Sequence, residues 1–423
     1  MSHDNEETLL ELVTDAYSKA PEFNGILGLH LSELLGLDWD ATRLQIEELI
    51  RDELVEIVHE DWFPNTHIKP FDPPPVADQV RKLRGASPTS VCVYPTMKAL
   101  ATKRKPRRYS GRPYSLRLWK GEPQFRTVFF DMAVLDRYRD DPRYRFEFHD
   151  NGGFISVKDD FFVSAEFPAR DKVLLQTFGV GYDTKRGRVV AVFLWYLAGL
   201  TPEHQRTWEA NERRDPCVIN ADYFRSAMGE FPTHGSMYRA LLLEQVAINE
   251  MCKAMRRPPL FRRTYAGDRP PGFHVFFRPT LKSFHAFVLE LDKLLSQNLD
   301  SKFFLDEVSQ TRAIHRRDGF VAEQQRGSVD QLQDWLRTYF IADDPTAVEN
   351  VIEPLRAIRH ERQAPAHAVL ENRFDVTYWD RQDELVKRAY LAMRTLRLIL
   401  SKYPGAGNVA IPEWVQEGRI RLH

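Results

Sequence analysis

The chain has 423 residues, 43% hydrophobic and 28% charged, which is the composition of a folded globular protein with room for several domains rather than of a disordered one. Its 59 Lys and Arg balance 60 Asp and Glu, so nothing in the net charge draws it to nucleic acid, and any such contact must come from a local patch. Three scattered cysteines, Cys92, Cys217 and Cys252, exclude a disulfide framework and a cysteine-based metal site. The acidic start carries no apolar signal core, and the longest apolar run, 189–200, falls short of the roughly 20 residues that span a bilayer, so a cytoplasmic protein without membrane contact is expected.

From the N-terminus, Leu9, Leu10, Leu12, Val13 and Ala16 mark a helix over 8–17, and a short helix over 29–35 stops at Gly36. A third helix follows with Asp38 or Asp40 as its N-cap and Leu44, Ile46, Leu49 and Ile50 as its buried face. Residues 54–58 read as a strand and 65–69 as its return. Helix, short helix, helix and hairpin is the order of a winged helix-turn-helix, here over 1–69. A DNA reader wants a basic third helix, but Asp40, Glu47 and Glu48 oppose Arg43 and Arg51, so DNA and a protein partner both stay open for this segment. The Pro-rich run 70–75 predicts a stiff linker over 70–84 and a domain boundary.

Over 85–270 the periodicity changes to two. Strands are expected at 114–119, 125–130, 144–148, 154–157, 173–180 and 188–196, with hairpin turns at Asn151-Gly-Gly and at 183–187. Helices at 202–211 and 237–255 complete an α+β domain with a mostly antiparallel sheet. Gly179-Val-Gly181 alone is no dinucleotide fingerprint. The most basic stretch of the chain lies here. Lys103, Arg104, Lys105, Arg107, Arg108 and Arg112, with Tyr109, Tyr114 and Trp119 interleaved, could track a phosphate backbone and stack bases, or form a solvated loop. His204 reads as a surface residue at a helix start. His234, His274 and His285 have no metal-ligand spacing, so neither metal nor cofactor is expected.

Beyond 275 the pattern is helical. Phe284, Phe287, Leu291, Leu294 and Leu295 mark one amphipathic helix; Val351, Leu355 and Ile358 mark a second; Leu385, Ala389, Ala392, Met393, Leu396, Ile399 and Leu400 mark a third, stopped by Lys402-Tyr403-Pro404-Gly405. At the end of the second stands Ile358-Arg-His-Glu-Arg-Gln-Ala-Pro-Ala-His367. Arg362 is a permanent cation whose fork fits phosphate oxygens, and His367 can move a proton near neutral pH. Together they suffice for metal-independent cleavage of RNA through its 2′-OH.

An Arg followed after four residues by a His, in this helical setting and with Arg394-Thr-Leu-Arg397-Leu-Ile-Leu downstream, resembles the HEPN superfamily (higher eukaryotes and prokaryotes nucleotide-binding) over about 275–405. The resemblance implies an all-α bundle, an endoribonuclease of the kind found in antiviral defence and toxin–antitoxin systems, RNA as partner and a homodimer through the bundle. Arg362 and His367 would be catalytic, with Gln363 orienting a phosphate or His367. Active members often carry Asn, Asp or His directly after the Arg; here Gln363 is polar but neither acid nor base. The rival reading is a regulatory or sensor protein whose bundle only binds a nucleotide or dimerises. On one straight helix Arg362 and His367 would point roughly 140° apart. Either Pro365 breaks the helix, or two protomers share residues across a two-fold axis. The expected architecture is therefore a multidomain α+β protein: winged helix at 1–69, α+β domain at 85–270, HEPN-like bundle at 275–423.

Overall fold

The computed structural model describes residues 2–101, 103–267, 269–270, 272–315, 321–340, 346–363 and 371–422. The fold is α+β with several antiparallel sheets, and it divides into two compact units: 1–147 with 152–224, and 148–151 with 225–423. No helix among the described residues is long and apolar enough to cross a membrane.

The first unit begins with the helix Ser2–Lys19, the short strand Ile26–Leu27 and the helices Gly28–Leu35 and Trp39–Arg51. Gly36 ends the second helix with φ of +65°, a left-handed conformation that glycine adopts without penalty. Asp38 caps the third, its carboxylate accepting the Ala41 N–H at 2.8 Å. The strand Val55–His59 then pairs with Val91–Pro95, which also pairs with Ile26–Leu27, giving a three-stranded antiparallel sheet with Val91–Pro95 in the middle. Leu9, Val13, Leu31, Ile46, Leu49, Val55, Ile57, Val91 and Val93 form its core.

Two expectations fail here. Residues 65–69 are not the return strand, because Asn65 folds back locally, its side chain accepting the His67 N–H at 3.2 Å. The Pro-rich run is not a boundary either. It lies inside this unit, between two strands of one sheet, and leads into the helix Val76–Arg84, whose Val80 and Leu83 enter the same core. Pro70 and Pro74 accept hydrogen bonds from the Phe125 N–H and the Gln79 side chain. Prolines lack a donor, but their carbonyls still tie the run down.

A second, six-stranded sheet follows in the spatial order Thr127–Asp131, Arg188–Phe193, Leu174–Asp183, Gly152–Val157 and Tyr144–His149, with Cys217–Ile219 pairing the end of Leu174–Asp183. The ring of Tyr223 lies so close to Gly179 that a Cβ there would stand 2.1 Å from a ring carbon, which accounts for a glycine in the middle of a buried strand. The expected strand at 114–119 is instead the helix Pro113–Trp119. Pro113 occupies the first turn, and Tyr114, Ser115, Leu118 and Trp119 are buried at helical spacing.

The second unit is mainly helical: Met237–Ala254, Leu281–Leu294, Ser328–Tyr339, Thr346–Gln363 and Thr377–Leu400. The helix Met237–Ala254, assigned above to the middle domain, packs on Thr377–Leu400 through a buried ion pair between Glu244 and Arg397. The unit is not all-α. It carries the hairpin Thr311–His315 with Val321–Gln325 and a short parallel pair, Gly235–Ser236 with Ile420–Arg421.

Candidate active site

Arg362 stands on the last turn of Thr346–Gln363. The buried stripe of this helix runs through Val348, Val351, Ile352, Leu355 and Ile358, and 362 is its next position at helical spacing. The side chain therefore turns inward, toward the helix Leu281–Leu294. There Arg362 Nη1 donates to Asp292 Oδ2 at 2.9 Å, and the same oxygen accepts from Gln297 Nε2 at 2.9 Å. Asp292 is fully buried, while the Arg362 side chain keeps 34% exposure. The guanidinium is thus anchored at one end and open to solvent at another. Oδ1 of Asp292 has no hydrogen-bond partner among the described residues.

Gln363 is exposed and is the last residue of the helix. Pro365 and His367 fall in 364–370, outside the described residues. Like Arg362 with Asp292, Arg356 pairs with Asp330, Arg381 with Glu361 and Arg388 with Glu353. Among the described residues no group of three or more His, Cys, Asp and Glu is placed to hold a metal.

The basic stretch is only half of what its sequence suggests. Lys103, Arg104, Lys105, Arg107 and Arg108 are exposed and Arg112 is half-buried. The aromatics between them face inward: Tyr109, Tyr114 and Trp119 are all buried, Tyr109 lying 5.8 Å from Phe23 and 6.4 Å from Trp119 between ring centroids. They cannot stack bases. The spacing of aromatic and basic residues does not distinguish an exposed platform from a core helix that happens to follow a basic loop.

His204 is the clearest misreading. It is fully buried within Pro202–Glu209, where Trp208 Nε1 donates to Tyr138 Oη at 3.0 Å and that hydroxyl lies 2.6 Å from His204 Nδ1. A hydroxyl that accepts from Trp208 can donate to His204, which leaves the imidazole proton on Nε2, 3.9 Å from Asp171 Oδ1. Burial is the main cause that lowers its pKa, to about 4, so the ring is neutral near pH 7. The array resembles a catalytic relay, but it is sealed from solvent and serves the core. A second buried pair joins Lys69 to Glu56; Lys69 also donates to the Gly121 carbonyl. Neither pair has a signal in the local sequence, because the partners are distant along the chain.

No family model, no curated protein and no solved structure matches this chain.

Proposed function

We propose that the chain is a metal-independent endoribonuclease of HEPN type, acting through Arg362 and His367 of its C-terminal unit. The observation that carries this reading is the setting of Arg362. A fully buried carboxylate holds the guanidinium at a helix end, partly exposed, directly before the segment that contains His367. Anchoring of this kind pre-positions a charge-stabilising group, so that little reorganisation is needed when charge develops on phosphate. In the reaction the ribose 2′-oxygen bonds to the adjacent phosphorus and the bond to the 5′-oxygen breaks. One His367 takes the 2′-OH proton, and the partner's His367 protonates the departing 5′-oxygen. Arg362 balances the charge on the five-coordinate phosphate, and Gln363 hydrogen-bonds a phosphate oxygen. The homodimer this requires is part of the proposal.

The strand order and helices of 1–95 favour a winged helix-turn-helix in the first unit. The exposed face of Trp39–Arg51 carries Asp40, Leu44, Glu48 and Arg51, which suits a protein partner better than a phosphate backbone. The decisive experiment compares wild type and His367→Ala on a mixed RNA substrate. Cleavage by the wild type with at least a hundredfold loss in the variant supports the reading; no cleavage by either protein leaves the non-catalytic regulatory reading in its place.

A further inference from the structure

The basic stretch does more than decorate a loop: it walls a cavity. In the first unit, a cavity of about 490 Å³ has Glu22, Arg108, Arg112, Trp195, Ala198 and Gly199 in its lining. This volume is within the range of small-molecule sites, roughly 300–1,000 Å³. Its construction follows from the chain. The buried ring of Tyr109 pins the turn Arg107–Tyr109, which places the Arg108 guanidinium 4.9 Å above that ring and in a hydrogen bond to the Ser18 carbonyl. Arg112 donates to the Leu200 carbonyl at 3.3 Å. A Cβ at Gly199 would meet only the Tyr196 carbonyl oxygen, at 3.5 Å, so that part of the wall is open.

No carboxylate neutralises either arginine among the described residues. In the same unit Arg117, Arg126, Arg139, Arg143 and Arg213 each pair with a carboxylate. Among the described residues neither Arg108 nor Arg112 does; each is held by a backbone carbonyl, which orients a guanidinium without neutralising it. A guanidinium has five N–H donors, so most of each fork stays open to a ligand. Exposed Lys103, Arg104, Lys105 and Arg107 add positive potential beside them. Trp195 is half-buried and stacked on Tyr196 at 5.9 Å and on Phe125 at 6.2 Å between centroids, which fixes it as an aromatic part of the wall. Two oriented cations and an aromatic wall match the phosphate and base of one nucleotide.

We infer that this cavity is a nucleotide-binding site, with Arg108 and Arg112 on the phosphate and Trp195 under the base. The nucleotide is either free or the terminal residue of an RNA strand. Because binding is read without any cleavage assay, the inference stands or falls apart from the role of Arg362 and His367.

The test is calorimetric titration of the full chain with each of the four nucleoside 5′-monophosphates, with inorganic phosphate, and with a 5′-phosphorylated RNA decamer. At least one nucleotide should bind. Arg108→Ala and Arg112→Ala should each weaken it about tenfold or more, as expected for loss of a charge-assisted hydrogen bond. Trp195→Leu should weaken the nucleotide but leave inorganic phosphate unchanged. Tighter binding of the monophosphate assigns the site to a free nucleotide, and tighter binding of the decamer to a strand end; both support it. The inference is overturned if no nucleotide or decamer binds at millimolar concentration, if inorganic phosphate binds as tightly as any nucleotide, or if the Arg108→Ala/Arg112→Ala protein melts like wild type and keeps full nucleotide affinity.

Discussion

Arg362 has two roles that a single substitution would confuse: it neutralises a buried carboxylate and, as proposed, it meets the scissile phosphate. Arg362→Ala leaves Asp292, fully buried, with only the Gln297 amide on one oxygen and nothing on the other among the described residues. Removing one partner of a wholly buried ion pair costs roughly 3–5 kcal/mol, and of an exposed pair about 0–1. With one partner at 0% and the other at 34% exposure, the loss should be intermediate, about 1–3 kcal/mol. For a cooperative unit of this size that lowers Tm by about 2–12 °C. Asp292→Asn removes the stranded charge at nearly constant shape, so the Asp292→Asn/Arg362→Ala protein should regain most of the lost stability. Activity should not follow, and RNA cleavage should stay down by about 10²–10³-fold, as for loss of one donor that serves the transition state. Thermal melts and single-turnover cleavage of the two single variants and the double variant complete the cycle. If cleavage returns together with stability in the double variant, Arg362 is only a structural counter-ion and the proposed mechanism is wrong.

Cleavage should proceed undiminished in EDTA and leave a 2′,3′-cyclic phosphate; activity lost to EDTA and restored by magnesium contradicts the proposed chemistry. Arg362→Lys keeps the charge but loses the fork, so it should lose most turnover, with near-normal rates counting against a phosphate clamp. His204 has a folded-state pKa of about 4, below its unfolded value, so the unfolded chain takes up its proton first as pH falls. Its stabilisation is complete above about pH 6.5 and is lost toward pH 4 at about 1.4 kcal/mol per unit, roughly 3 kcal/mol at most. Urea unfolding of wild type at pH 7 and pH 5 should show that slope, and His204→Gln should flatten it. Arg397→Leu strands the buried Glu244 carboxylate and should cost about 3–5 kcal/mol, measured by denaturant unfolding, whereas the paired change Glu244→Gln/Arg397→Leu should recover much of it.

Much of this protein is written locally. The cap at Asp38, the stop at Gly36, the turn at 183–187 and the helices that carry Phe284, Leu355 and Leu396 follow from propensity, capping and periodicity acting over a few residues. The pairing of Arg362 with four following residues and His367 is equally a property of the linear chain. What tertiary structure decided depends on distance along the chain. Val91–Pro95 replaces 65–69 as the return strand because hydrogen bonding to two strands at once outweighs the closure of a longer loop, whose entropic cost grows only slowly with length. The run 114–119 alternates like a strand but coils, because Pro113 starts a helix and a core receives one face of it. Arg362 acquires Asp292, His204 acquires Tyr138, and Arg108 and Arg112 come to line one cavity with Trp195 only after helices and loops far apart in sequence have packed together. Burial removes water as a partner, so each such polar group must find one within the protein, and its identity is set by the fold and not by the neighbouring residues.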